Sequence, residues 1–99
     1  MTFIVALKKT PHGLLVVVTD KNAIGCVFKE KGLQLDLSKE FYKGEEMSKE
    51  ETIELINKAR HLHLTGGKAV DLGVEIGLVH PSRILHVGKM VHAEVMVES

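Results

Sequence analysis

The stretch SKEETIELINKARHLHLTGGKAVDLGVEIG, residues 48 to 77, decides the fold predicted for this 99-residue chain. Ser48 stands three positions before Glu51, which is the spacing of a capping box and marks a helix start. Five apolar residues then follow at helical spacing: Ile53, Leu55, Ile56, Ala59 and Leu62. Because Gly66-Gly67 stops this pattern, the stretch predicts an amphipathic helix of about four turns.

A second helix is predicted directly after the glycine pair, from Lys68 to Gly77. Its apolar positions again have helical spacing: Ala69, Val70, Leu72 and Ile76. Gly77 suits the left-handed residue that ends many helices. Since only two or three residues join the helices, we expect a consecutive pair packed as a helical hairpin.

Strand signals flank this pair on both sides. Thr2 to Leu7 and Leu14 to Thr19 are apolar, β-branched runs around a turn with Pro and Gly, which predicts a β-hairpin. The second run does not alternate, as is typical of a central strand covered on both faces. Leu33 to Leu37 alternates strictly, as in a half-buried strand. A short extended piece is expected at Cys26 to Phe28.

Two closing strands are predicted at Ile84 to Val87 and Val91 to Val97, on either side of Gly88-Lys89. The predicted order is βββααββ. Strands segregated around a helix pair indicate an α+β domain spanning residues 1–99, with a mixed or mostly antiparallel sheet.

The composition narrows the function classes. Thirteen basic residues balance thirteen acidic ones, so any contact with nucleic acid must be local. Cys26 is the single cysteine, which rules out an intrachain disulfide and favours a reducing, cytoplasmic location. We expect its thiol to be buried. No apolar run has the length of a membrane span.

Several motifs resemble one known family. Glu40-Phe41-Tyr42-Lys43-Gly44-Glu45 is followed by the Ser48-x-Glu50-Glu51 helix start. Two later matches complete the pattern: Leu64, Gly66, Ala69 and Val70, and then Gly77-Leu78-Val79. Together they are similar to an archaeal family of small proteins, the domain of unknown function 424.

Three positions in two segments differ from the family pattern. Val91-His92-Ala93-Glu94 stands where the family has Pro-His-Ala-Gln, and His63 stands where it often has Asn. The resemblance implies an archaeal cytoplasmic protein without an established activity, associated with RNA or translation.

The segment from Arg60 to Lys68 carries the predicted binding site. Glycines at a helix N-terminus let backbone N–H groups and the helix dipole meet a phosphate. Arg60, His63, Gly66, Gly67 and Lys68 are the candidate residues for a phosphate of RNA or of a ribonucleoprotein. The competing interpretation is a tight interhelical turn that needs glycine for its conformation alone.

The residue spacing gives less support to a metal site or a catalytic site. Whether the five histidines outside the first turn converge is left open: His61, His63, His80, His86 and His92. No His-x-x-x-His pattern occurs, so we predict no metal and no cofactor. Neither Cys26 nor the paired glutamates form a catalytic constellation, and we predict a binding module rather than an enzyme. The alternative is a protein-interaction module or homodimer that pairs through the final strand.

Overall fold

The structure is a computed structural model that describes residues 1–97. Over that range the elements are β1 (Thr2–Thr10), β2 (Gly13–Asp20), β3 (Val27–Glu30), β4 (Leu33–Asp36), β5 (Glu45–Ser48), α1 (Lys49–Ile56), β6 (His61–Thr65), α2 (Gly67–Glu75), β7 (Leu85–Val87) and β8 (Met90–Met96). Short 3-10 turns lie at Lys21–Ala23, Glu40–Tyr42 and Pro81–Arg83. The predicted α+β class is confirmed.

Six strands form one mixed sheet in the order β5-β1-β2-β6-β8-β7. Its neighbours are antiparallel except for the parallel pair β2 and β6, so the sheet is mostly antiparallel as expected. Strands β3 and β4 form a separate hairpin. Val16, Val17 and Val18 of β2 are fully buried, which confirms the predicted central strand.

The predicted consecutive helix pair is wrong, because a strand separates the two helices. Helix α1 ends at Ile56, and His61–Thr65 forms β6 between β2 and β8. The segment alternates: Leu62 and Leu64 are both fully buried, while His61 and His63 point to the opposite face. The strand buries both Leu62 and Leu64 in the core, and its main chain forms hydrogen bonds with β2 on one edge and β8 on the other. A helix over the same residues would have placed the two leucines on different sides. The order βββααββ is therefore corrected.

Both helices cover one face of the sheet and close the main core. This core combines helix residues with strand residues of alternating register: Phe3, Val5, Val16, Val18, Ile56, Leu62, Leu64, Ala69, Val70, Leu72 and Ala93. The opposite face is partly covered by the segment around Phe41, whose ring lies beside Lys8 of β1 and His63 of β6. The sheet thus separates an apolar layer from a face that carries polar side chains.

The predicted helix signals have mixed outcomes. Ser48 and Glu51 form the expected reciprocal capping box, and Gly77 ends the second helix with a φ of +80°.

Cys26 is exposed in the turn before β3, so the prediction of a buried thiol is wrong. In the segment between β2 and β3, Ala23 is the residue whose side chain enters the core, and the side chain of Cys26 stays outside it. Across residues 1–97, no helix has both the length and the apolar character that crossing a membrane requires.

Candidate metal site

Strand pairing brings together side chains that lie far apart in the sequence. In the antiparallel ladder of β6 and β8, Thr65 is opposite His92 and His63 is opposite Glu94. Directly opposed residues point to the same face of a sheet. All four side chains therefore share the face opposite the helices.

His63, His92 and Glu94 form a compact cluster of potential metal ligands. One ligand atom from each lies within 4.8 Å of the others. His92 Nε2 is 3.0 Å from Glu94 Oε2, and His63 Nε2 is 3.6 Å from Glu94 Oε1. Ligand atoms about 2.0–2.1 Å from a tetrahedral zinc ion are about 3.3 Å apart. The cluster therefore needs only small side-chain movements to hold such an ion.

A buried threonine supports the outer side of His92. His92 Nδ1 and Thr65 Oγ1 are 2.8 Å apart, and both residues are buried. This contact leaves Nε2 as the ring nitrogen that faces Glu94. Without metal, Nε2–H of His92 donates to Glu94 and the Thr65 hydroxyl donates to Nδ1. With a metal on Nε2, the ring proton would lie on Nδ1 and the hydroxyl would accept it, which is the arrangement that orients a metal-bound imidazole.

Aromatic rings enclose the other side of the cluster. The ring centroids of His63 and His92 are 5.8 Å apart, and the Phe41 ring is 5.5 Å from His63. Tyr42 packs edge-on against Phe41 at 5.1 Å. Burial and the carboxylate of Glu94 raise the pKa of Tyr42, so its phenol remains protonated well above neutral pH. The apolar ring wall lowers the local polarity around the ligand atoms.

The protonation states favour a cation. Burial lowers the pKa of His63, and this effect outweighs the opposing influence of Glu94. The hydrogen bond from His92 lowers the pKa of Glu94. At neutral pH the cluster therefore presents a neutral imidazole at His63 and an ionised carboxylate, and metal ions bind these forms.

The contacts also give a hydroxyl–imidazole–carboxylate chain in the order Thr65, His92 and Glu94. That order is the one of a nucleophile, its base and an orienting carboxylate. Thr65, however, is fully buried, so no substrate can reach its hydroxyl in this conformation. The exposed end of the chain is the Glu94 carboxylate, with 61% of its side chain accessible. The accessible chemistry is therefore that of ligand atoms.

The five residues predicted to bind phosphate do not converge. Arg60 precedes β6 and Gly66 follows it, which places them roughly 20 Å apart at about 3.3 Å per strand residue. His63 lies between them in the candidate metal site. Only Gly66, Gly67 and Lys68 are together at the start of α2.

A carboxylate of the chain itself occupies the start of α2. Asp20, at the end of β2, accepts hydrogen bonds from the backbone N–H groups of Lys68 at 3.1 Å and Ala69 at 2.8 Å. These are the groups that a phosphate would need, and the Asp20 charge repels an anion. This geometry favours the architectural role of Gly66-Gly67, and an RNA contact there stays a prediction.

The remaining histidines lie around the cluster or away from it. His61 shares the face of His63 and borders the same small cavity of about 130 Å³. His80 caps the turn before β7, where its Nδ1 accepts from the Ser82 N–H. Leu85 pairs with His92, so the adjacent His86 points to the other face. Sequence spacing missed the cluster because its ligands come from two strands whose register only the fold reveals.

One motif of the family resemblance and one segment that departs from the family pattern meet at this site. Glu40 to Glu45 supplies Phe41 and Tyr42, and Val91 to Glu94 supplies His92 and Glu94. Two of the three positions that differ from the family pattern, His63 and Glu94, are among the potential ligands, and the third, Val91, is not.

Comparisons with known proteins agree with the fold. A family model described as a protein of unknown function, DUF424, matches residues 7–97. A crystal structure of an uncharacterized conserved protein from Methanopyrus kandleri is similar, with a TM-score of 0.82 and 20% sequence identity over 100% of this chain and 96% of that chain. No curated protein matches significantly. Neither the family description nor the matched structure names an activity.

Proposed function

Because this chain belongs to the DUF424 family, whose function is unknown, we propose a function from its own side chains: it is a binding module for a divalent transition-metal ion. His63, His92 and Glu94 are the proposed ligands. The observation that carries the proposal is the approach of their three ligand atoms to within 4.8 Å on one sheet face.

The ligand types select the class of metal. Two imidazoles and one carboxylate suit zinc and ferrous iron better than calcium or magnesium, which prefer oxygen ligands. Three protein ligands leave one tetrahedral position open. The expected cytoplasmic location and a binding rather than an enzymatic role belong to this proposal. The protein hydroxyl at the cluster, that of Thr65, is fully buried and therefore offers no accessible nucleophile.

Zinc binding can be measured on metal-free protein by isothermal titration calorimetry. The wild type is expected to bind one equivalent and to gain about 2.7 kcal/mol of stability at a free zinc concentration one hundred times the Kd. His63→Ala should weaken binding by at least about tenfold, since even an outer-shell change costs 10–100-fold. Zinc affinity equal in the wild type and His63→Ala would refute the ligand assignment.

His86→Ala is the matched control. His86 is an exposed histidine on the neighbouring strand β7, but it points away from the cluster. Its loss should leave the zinc stoichiometry and affinity unchanged. A similar weakening in both variants would indicate nonspecific binding to surface histidines.

We propose self-association through β8 as a second function, supported by one observation. Strand β7 pairs only with Met90, Val91 and His92, so the rest of β8 has one edge without a strand partner in the described structure. A second copy could add a strand along this edge. Analytical ultracentrifugation should then show a concentration-dependent dimer. Met96→Lys, which places a charge on an exposed residue of β8, should weaken this dimer. Val95→Pro is not a suitable variant, because it would also disrupt the pairing of β8 with β6 and could unfold the protein. A monomer at all concentrations would rule this function out.

A further inference from the structure

A groove of about 420 Å³ runs along the edge of β8 beside the proposed metal site. Two of the proposed ligands, His92 and Glu94, line this groove, while His63 lines the small cavity beside it that Glu94 also borders. The rest of the lining combines two further nitrogen-bearing side chains with apolar residues: His80, Arg83, Leu78, Val79, Leu85, Ala93, Val95 and Met96. This volume is within the range of small-molecule sites.

Two of the lining side chains are hydrogen-bond donors. Arg83 is exposed and makes no ion pair with any carboxylate of the described residues. His80 Nδ1 accepts from the Ser82 N–H at 3.1 Å, which leaves the proton of the neutral ring on Nε2. The groove therefore offers a guanidinium and an imidazole N–H to an acceptor.

The charge in the groove depends on the metal. Without metal, Arg83 and Glu94 balance each other, and the groove gives an anion little net attraction. A bound divalent cation adds two positive charges and an open coordination position. Arg pairs favourably with planar or tetrahedral oxyanions through parallel hydrogen bonds.

Resting on the proposed metal function, we infer that the groove binds an oxyanion group, which ligates the metal at its open position and accepts hydrogen bonds from Arg83 and His80. The ligand class is a small molecule or chain end that carries a phosphate or a carboxylate. The apolar side chains Leu78 and Leu85 contact the rest of that ligand.

The test uses the full chain loaded with one equivalent of zinc, titrated by calorimetry with methyl phosphate and, separately, with acetate. The wild type should bind one of these anions, and the metal-free protein should bind it at least about tenfold more weakly. Arg83→Gln should weaken anion binding by roughly ten- to a hundredfold, the size of one hydrogen bond to a charged group. Lys89→Gln is the control, because Lys89 is an exposed cation outside the groove lining.

Each outcome decides a different point. Zinc binding without anion binding, or equal anion affinity in Arg83→Gln and Lys89→Gln, overturns the oxyanion site while the metal function stands. Failure of the wild type to bind zinc overturns both. Where methyl phosphate binds, RNA oligonucleotides with and without a 5′-phosphate show whether the phosphate source is an RNA end or a small phosphate ester.

Discussion

Substitution by alanine should destabilise the protein at Gly66 but not at the adjacent Gly67. Gly66 has a φ of +105° and a ψ of 156°, a region that residues with a side chain rarely adopt. A Cβ added there would overlap the side chain of Asp20, whereas a Cβ at Gly67 meets nothing within 4 Å. Gly67 lies at the first position of α2, where alanine is tolerated.

The magnitude follows from two separate costs in Gly66→Ala. The backbone strain is about 1–3 kcal/mol. Displacement of Asp20 removes the cap of α2, which costs about 1 kcal/mol more. The expected total is about 3 kcal/mol, which lowers the Tm by roughly 12–24 °C in a domain of this size. Gly67→Ala should leave stability unchanged or raise it by up to about 1 kcal/mol.

Urea denaturation followed by circular dichroism measures both variants against the wild type. The comparison needs no ligand, so it tests the architectural role of the glycine pair alone. Equal stability of Gly66→Ala and Gly67→Ala would refute the structural role assigned to the hydrogen bonds between Asp20 and the start of α2. It would then favour the phosphate-binding interpretation of this turn.

Three further predictions concern two buried hydroxyls and the cap of the first helix. Thr19 Oγ1 is buried without a hydrogen-bond partner among the described residues, so Thr19→Val should be neutral or stabilising by about 1 kcal/mol in thermal unfolding. Thr65→Val leaves His92 Nδ1 without its partner and should destabilise by about 1–3 kcal/mol; it should also weaken zinc binding by about 10–100-fold. Equal effects of the two valine variants would contradict the assigned hydrogen bond. Ser48→Ala removes the cap of α1 and should cost about 1 kcal/mol, checked by urea denaturation, with no change in zinc affinity.

Local signals in the sequence predicted several elements correctly. The β1–β2 hairpin follows from two apolar runs around a Pro and Gly turn, and its central strand from the continuous valines. The capping box at Ser48 predicted the start of α1 because its contacts span only three residues. Features that depend on near neighbours in the chain are therefore readable without the fold.

The error at β6 shows where local patterns fail. Leu62 continues the helical spacing of α1, but it equally fits the alternation of Leu62, His63 and Leu64. The tertiary context decides, since β2 and β8 both pair with this segment. The same pairing sets the metal cluster: His63 and Glu94 are far apart in the chain and adjacent only through the ladder of β6 and β8.

The most direct test of the central claim is anomalous X-ray diffraction at the zinc absorption edge, from crystals of the protein loaded with one equivalent of zinc. We expect one strong peak about 2.0–2.1 Å from the Nε2 atoms of His63 and His92 and from a carboxylate oxygen of Glu94. A peak at other histidines, or none at this cluster, would contradict the proposed metal site.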